Sequence, residues 1–403
     1  MELKDRDYRI KGVEGSKMKE VRNIYDVIIV GGGPAGLYTA RILGEAGLDI
    51  LVLEEKEKAG KDVLCTGIVS KELFEKFDIS KDSIVREIKT VKLISPFGTS
   101  IFYTHSSPFA YVVDRGEFDR FLFMDAKSKG VEFKFSHRVV DIDILRSGIE
   151  VTTHNLQDFQ IEKFKSKMLI LATGFRVSLC KKLGLGYPVN FLRSAQKTIN
   201  LKEDFVTIIT GSSISKGGFG WVVPEKGNFA RVGLITERSP REGFKNLAKK
   251  YLFTENLGEV RYKPIAQGLV SKTFGERIIS VGECAGQVKT TTGGGIYFGL
   301  ICAEIAGEEV LKAFKKGDFS SERLSSYDKK WKSKIGSEIK RGYLLRKMWG
   351  KLTDEQIEKL FTMVKSDGFM DYISRKLKFD WHSLTLIKLL QRKEIREVFF
   401  QLF

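Results

Sequence analysis

Two glycine signatures in this chain have the residue types and spacing to hold a nucleotide cofactor. The first, Gly31-Gly-Gly33-Pro34-Ala35-Gly36, follows the apolar β-branched run Tyr25–Val30 and opens a helical pattern at Leu37. Strand, tight turn and helix in that order suit a pyrophosphate. Gly31 permits the turn, Gly33 lets the backbone come close to the ligand, and Gly36 lets helix and strand pack tightly. The helix N-terminus adds unpaired N–H groups for the negative charge. A second β-type run, Asp49–Leu53, ends at Glu54, where a carboxylate accepts hydrogen bonds from a ribose 2′-hydroxyl and repels a 2′-phosphate.

The second signature is Gly282-Glu283-Cys-Ala-Gly286, continued by Thr290-Thr-Thr-Gly293-Gly294-Gly295-Ile296. Arg277–Val281 reads as the strand before it, and Ile296 to about Phe314 as the helix after it. Glu283 can accept from ribityl hydroxyls, and Gly293–Gly295 let backbone lie flat against an isoalloxazine ring. The helix beginning near Ile296 points its positive end at the N1/O2 edge of a flavin. Reduced flavin is an anion, so that end favours the hydride-donating form by about 0.3–2 kcal/mol. The two signatures therefore divide one FAD between them: its ADP half on Gly31–Gly36 with Glu54, its reactive half on Glu283 and Gly293–Gly295.

A third segment, Phe219-Gly-Trp221-Val-Val-Pro224, places two aromatic rings at alternate positions of a strand that Pro224 ends, so both rings face one side. Packing in a core is the other use of such a pair, in a chain with 29 phenylalanines. His105, His137, His154 and His382 stand in strand or helical contexts with no partner legible in sequence, and are expected at the surface or in a core rather than in catalysis.

The elements that must position these residues alternate in type. After Glu54 a loop runs to Cys65-Thr-Gly67 and a helix around Lys71–Phe77; Val91–Ser95 and Ser100–Tyr103 flank Pro96-Phe-Gly98 as a hairpin. Tyr111–Arg115 leads from a strand into a helix with Phe118, Phe121 and Leu122 on one face, and Met168–Ala172 is a buried-type strand turning at Thr173-Gly174. Asn190 to Thr236 is strand-rich. The pattern predicts a mixed α/β (α+β) chain: a Rossmann-type FAD-binding domain over 23–88, 112–188 and 270–318, and an inserted antiparallel β-sheet substrate domain over 89–111 and 189–269. A C-terminal helical region over 319–403 is rich in Lys and Arg, with apolar positions Leu384, Ile387 and Leu390, and is expected to cap the body. Residues 1–22 read as a flexible basic arm.

At 403 residues the chain exceeds the usual single-core size. Four cysteines without CxxC spacing (Cys65, Cys180, Cys284 and Cys302) favour a reducing, cytoplasmic setting over a disulfide framework. No stretch is long and apolar enough to span a membrane. The 68 basic against 51 acidic residues give a formal charge of +17. They are dispersed without zinc-finger spacing, an RNP-type motif or a long basic block, so no nucleic-acid partner is expected. An acidic protein or an anionic lipid surface remains compatible with the charge.

The order of these motifs resembles the geranylgeranyl reductase family of flavoproteins with the p-hydroxybenzoate hydroxylase fold. It runs from the first glycine signature with distal Glu54, through Asp114-Arg115-x-x-Phe118-Asp119 and Phe219-x-Trp221-x-x-Pro224, to Gly282-Glu283-x-Ala-Gly with Gly293-Gly294-Gly295-Ile296. The resemblance covers about residues 24–310. It implies an FAD-dependent oxidoreductase that saturates C=C bonds of geranylgeranyl chains, in prenyl lipids of archaeal type, by hydride transfer from flavin N5. Cys65, which stands where the family has a cysteine near the flavin, and Phe219 and Trp221, which line its prenyl tunnel, are the implied active-site residues. Arg115, Gly174 and Gly282 join Gly31, Gly33, Pro34, Ala35, Gly36, Glu54, Cys65, Glu283, Gly293–Gly295 and Ile296 as cofactor contacts. NAD(P)H or an acidic ferredoxin is the implied electron donor, because one nucleotide motif is present and FAD takes it. Peripheral contact with the cytoplasmic membrane face is the implied location. A flavin monooxygenase or halogenase acting on an aromatic substrate is the alternative. Glu283 where relatives carry Asp, Thr290 where they carry Pro, and Thr173-Gly174 for Asp-Gly depart from the pattern.

Overall fold

A computed structural model describes residues 19–252, 258–366 and 369–400. The strand expected from Tyr25 starts earlier, at Lys19, and pairs in parallel with Ile50–Leu53 on one side and Ile161–Leu171 on the other. Most of the arm expected over 1–22, residues 1–18, lies outside the described residues. Residues 19–22 are strand rather than arm, because the long partner Ile161–Leu171 offers Glu162 and Lys163 as register partners to Lys19 and Glu20.

The sheet built on this strand has eight strands, with the path Phe274–Gly275, Ile278–Ser280, Ile161–Leu171, Lys19–Val30, Ile50–Leu53, Glu132–Lys134; Ile149–Asn155 and His137–Ile144 extend it. Val27–Val30 and Ile50–Leu53 are buried along their whole length, as a parallel sheet covered on both faces requires. Pro34–Glu45 packs against Ile296–Lys316 and against Arg115–Ser128 on one face. The first crossing is tight: a Cβ at Gly307 would lie 2.6 Å from the Ile42 side chain.

A seven-stranded sheet carries the middle of the chain, in the order Arg261–Gln267, Asn190–Asn200, Phe229–Thr236, Phe219–Pro224, Val206–Ile209, Thr90–Ile94, Ser100–Thr104. It is antiparallel except where Val206–Ile209 runs parallel to Thr90–Ile94. That pair joins the early hairpin to the later strands, so a long crossover replaces a turn and the parallel sense becomes accessible.

Helices Ser321–Trp331, Ser337–Lys351, Asp354–Ser366, Phe369–Lys376, Ser383–Leu390 and Lys393–Phe400 complete the described chain. The first is keyed to the eight-stranded sheet through Thr273, which donates to Asp328 at 2.8 Å and accepts from the Trp331 indole at 2.8 Å. Within Ser383–Leu390 the expected stripe is displaced. Leu384 is 50% exposed, while Leu390, as expected, turns to the interior together with Leu386 and Leu389. The helix packs on Ser337–Lys351 and Lys393–Phe400 and borders the cavity, and Leu384 lies on the side that these neighbours leave uncovered.

Candidate active site

The first glycine turn is shaped by close backbone approaches. Gly31 has φ +109°, and a Cβ there would fall 2.3 Å from the Ala172 carbonyl oxygen; a Cβ at Gly36 would fall 2.1 Å from that of Gly31. Gly33 differs, since a Cβ there would meet nothing within 4 Å and the residue borders a large cavity. The helix Pro34–Glu45 begins at Gly33 with no side-chain cap, so its N-terminal donors face that space. Glu54 is held over the turn, accepting the Gly32 N–H at 2.6 Å and the Lys56 N–H at 3.0 Å.

The second signature lies across the same cavity. Gly282 has φ +82°, and its N–H donates to Gln287 at 2.6 Å. Gln287 donates to the Tyr327 hydroxyl at 2.8 Å, which donates to the Ser280 carbonyl at 3.0 Å. This buried chain fixes the loop. The helix Ile296–Lys316 starts after Gly295, again without a side-chain cap. Glu283 is paired with Lys263, from the edge strand of the seven-stranded sheet, at 2.9 Å. Two uncapped helix N-termini on one cavity, separated by glycine backbone, fit an extended flavin dinucleotide, one facing its central pyrophosphate and the other its flavin end, which is anionic when reduced.

Cys65 sits between these ends, half-buried, its Sγ accepting the Gly67 N–H at 3.4 Å and its carbonyl accepting from Gln196 at 3.2 Å. Burial pushes the thiol up, but the Arg115 guanidinium, the Gly67 N–H and Lys263 outweigh it and hold the thiol below its ordinary range. Arg115 is itself fixed by a bidentate bond to Asp119, at 2.8 and 2.9 Å. Phe219 and Trp221 share one side of their strand, ring centroids 6.1 Å apart, and both border the cavity. The indole lies over Gly233, where a Cβ would come within 2.5 Å of it. The buried Arg346 guanidinium stands 5.8 Å over the Phe219 ring and donates to the carbonyls of Gly217 and Thr290 at 2.6 and 3.3 Å. Burial pushes this guanidinium down to about 10.

One cavity of about 1610 Å³ contains all of this. Its polar end is bordered by Gly31–Ala35, Glu54, Cys65, Arg115, Gly174, Gly282, Glu283 and Gly293–Ile296, so every cofactor residue expected from the sequence borders the one cavity except Gly36, buried behind the turn. Its other end is an apolar lobe between the inner face of the seven-stranded sheet (Val91, Leu93, Ile101, Ile208) and the C-terminal helices (Phe361, Ile373, Leu389).

Between the two ends lies a cluster that the sequence did not reveal. Lys289 pairs with Asp380 at 2.7 Å and donates to the Phe379 carbonyl at 3.0 Å. His382 bonds Thr291 and the Phe379 carbonyl. The expectation that the histidines lack partners is corrected here and at His137, which contacts the Phe135 carbonyl at 2.6 Å and Glu162 at 3.1 Å. Burial first, and then the Lys289 ammonium, push His382 down to about 4, so it is neutral at pH 7. His105 borders the cavity too, its ring edge-on to Tyr103 and tilted against Phe109.

Comparison with known proteins places this geometry among flavoenzymes. Residues 25–214 match the pyridine nucleotide-disulphide oxidoreductase family model. The chain is 29% identical to the digeranylgeranylglycerophospholipid reductase of Methanocaldococcus jannaschii, over 85% of this chain and 91% of that one. It is 26% identical to digeranylgeranylglycerophospholipid reductase 1 of Methanococcoides burtonii, over 94% and 98%. Among solved structures, a geranylgeranyl bacteriochlorophyll reductase-like protein from Thermoplasma acidophilum superposes with a TM-score of 0.82 at 21% identity, covering 96% of this chain and all of that one. A halogenase in complex with FAD superposes at 0.65 with 16% identity over 91% and 86%. At these identities the structural matches speak for the fold.

Proposed function

We propose that the chain is a member of the geranylgeranyl reductase family of FAD flavoproteins and that it adds hydrogen across C=C bonds of geranylgeranyl chains in prenyl lipids. The observation that carries this reading is the continuity of the cavity: the glycine-walled cofactor end opens directly into an apolar lobe formed by the inner sheet face and the C-terminal helices. Burial at about 0.8 kcal/mol per CH2 lets such a lobe hold a prenyl chain without a charged anchor.

Bound at the polar end, FAD supplies a hydride. The chain's own residues have the remaining tasks. Gly31–Gly36 and the uncapped helix after them take the pyrophosphate, Glu54 the ribose, and Glu283 with Lys263 the ribityl region. Phe219 and Trp221 wall the path of the substrate. Cys65, its thiol eased by Arg115, would hold the proton for the alkene; water is the other available donor. Reducing equivalents come from a transiently docked nicotinamide or from an acidic ferredoxin steered by the +17 charge. Work at a membrane surface fits the substrate, and among the described residues no helix is long and apolar enough to cross a membrane.

Anaerobic incubation of the reduced protein with a geranylgeranyl phospholipid, followed by mass analysis, tests the reading. Gain of hydrogen pairs on the prenyl chain is the expected result. No mass gain with any prenyl substrate overturns it, and halide incorporation into an aromatic acceptor favours the halogenase alternative.

A further inference from the structure

We propose that the free edge of the seven-stranded sheet is a docking surface for an anionic lipid bilayer, an inference that rests on the prenyl-lipid reading above. The edge strand Ser100–Thr104 is apolar in both directions. Ile101 and Tyr103 border the cavity, while Phe102, between them, points outward and is 50% exposed. Strand alternation dictates the division, but an outward phenylalanine on an edge strand is what folded proteins ordinarily avoid. Phe102 does not stand alone. Its ring meets Phe205 edge-on at 6.0 Å between centroids, and Phe205 is 41% exposed. Phe97, in the turn of the same hairpin, is 64% exposed. The paired Phe102 and Phe205 rings, with Phe97 at the turn end of the same hairpin, expose aromatic surface along this edge and mark it as an interaction surface.

Cations lie along the same edge. Lys92, the cross-strand partner of Phe102, holds its ammonium 6.0 Å from that ring, and Lys250 donates to the Pro96 carbonyl at 3.0 Å. The helix Phe369–Lys376 packs on the same edge strand, ends in exposed Arg375 and Lys376, and is followed by exposed Lys378. Acids are present as well: Glu358 accepts the Phe97 N–H at 3.0 Å, and Glu203 lies beside Lys92. The net attraction to an anionic leaflet comes from these lysines backed by the +17 field of the whole chain. Aromatic rings with lysine stems beside them match the interfacial layer, where rings sit among headgroups and ammonium groups reach phosphates. The same charge disfavours a second copy of this chain as the occupant, since like fields repel. Position points the same way. The inner face of these strands walls the apolar lobe, so a prenyl chain leaving the leaflet here is one sheet away from its binding site.

Vesicle flotation and turnover separate the possibilities. Wild-type protein is expected to float with phosphatidylglycerol-containing vesicles, less so as salt rises, and weakly with phosphatidylcholine alone. The combined variant Phe97→Ser, Phe102→Ser, Phe205→Ser is expected to bind anionic vesicles about tenfold or more weakly. It should keep its thermal midpoint and FAD content, and its turnover of detergent-dispersed prenyl lipid should stay within about twofold while turnover of vesicle-embedded lipid falls with binding. Lys376→Glu with Lys378→Glu should reduce anionic-vesicle binding while leaving the aromatic rim intact. Unchanged flotation of the triple variant overturns the proposal, as does a dimer of the wild type that the triple variant loses, since that assigns the rim to a second copy. Failure to reduce prenyl lipid in either presentation, with the flotation pattern intact, strikes the reductase reading and not the docking surface.

Discussion

The Lys289 ammonium lies 2.7 Å from the Asp380 carboxylate with both side chains only 5% exposed, and this pair ties the cofactor loop to the C-terminal helices that wall the apolar lobe. A Lys289–Gly294 bridge holds the loop side in register, and the ammonium also sits 4.3 Å from the Phe379 ring. The contact therefore links the two ends of the cavity.

Removing one partner of such a pair is costlier than removing both. Lys289→Met should lower unfolding stability by about 3–5 kcal/mol, because Asp380 is left charged and buried. Lys289→Met with Asp380→Leu should regain most of that loss. Denaturant titration of the three proteins reads the difference; equal losses in the single and double variants would show that the pair does not act as a charge couple.

The neighbouring His382 makes a pH prediction with a definite sign. Its pKa is depressed to about 4 by burial and by Lys289, whereas an unfolded histidine titrates near ~6.5. The unfolded chain therefore binds the proton first, and stability falls as pH drops from about 6.5 toward 4, by up to about 3 kcal/mol. Above that window the contribution is complete. His382→Gln should flatten this part of the stability-against-pH curve, measured by denaturant midpoints, and a curve of unchanged slope would exclude His382 as the source.

Gly33 and Gly36 should fail in different ways when enlarged. A Cβ at Gly33 enters open space, and its φ of −84° suits any residue. Gly33→Val should therefore fold normally, yet bind FAD about tenfold or more weakly, because the branched side chain occupies the pyrophosphate's approach. A Cβ at Gly36 would lie 2.1 Å from the Gly31 carbonyl, so Gly36→Val should lose the fold itself. Thermal midpoints of the cofactor-free proteins beside FAD titrations distinguish the two; equal midpoints would refute the contrast.

What the sequence revealed depended on how local the cause was. The turns at Gly31–Gly36 and Gly293–Gly295 were legible because strand, glycine and helix signals lie within a few residues of one another. The alternation of Phe219 and Trp221 was legible for the same reason. The Lys289–Asp380 and Thr291–His382 contacts join residues 91 apart in the chain, and no periodicity or motif pairs them. Lys263 beside Glu283 was hidden differently, since it comes from another sheet and its strand, Arg261–Gln267, carries Pro264, which argues against strand in a local reading. Pro264 is tolerated because that strand is an edge. Leu384 misled because a stripe of leucines records that a helix is amphipathic, not which of its residues the neighbouring wall can cover.

Cys65 and Arg115 give the most direct test of the reacting end. The guanidinium, held by Asp119 at 2.8 and 2.9 Å, opposes the burial that would otherwise push the thiol up. Arg115→Gln removes that opposition, so the thiol's pKa should rise, and the pH at which iodoacetamide alkylates Cys65 half-maximally should move upward. Cys180, Cys284 and Cys302 are fully buried and should react much more slowly, which leaves Cys65→Ser as the blank. Asp119→Asn should leave Arg115 cationic but poorly held, and give a smaller shift in the same direction. Because the readout is alkylation of the oxidised, resting protein, it is independent of turnover. A half-point that moves down, or not at all, in Arg115→Gln would mean that another group sets the state of the thiol, and would remove the reason for placing a proton there.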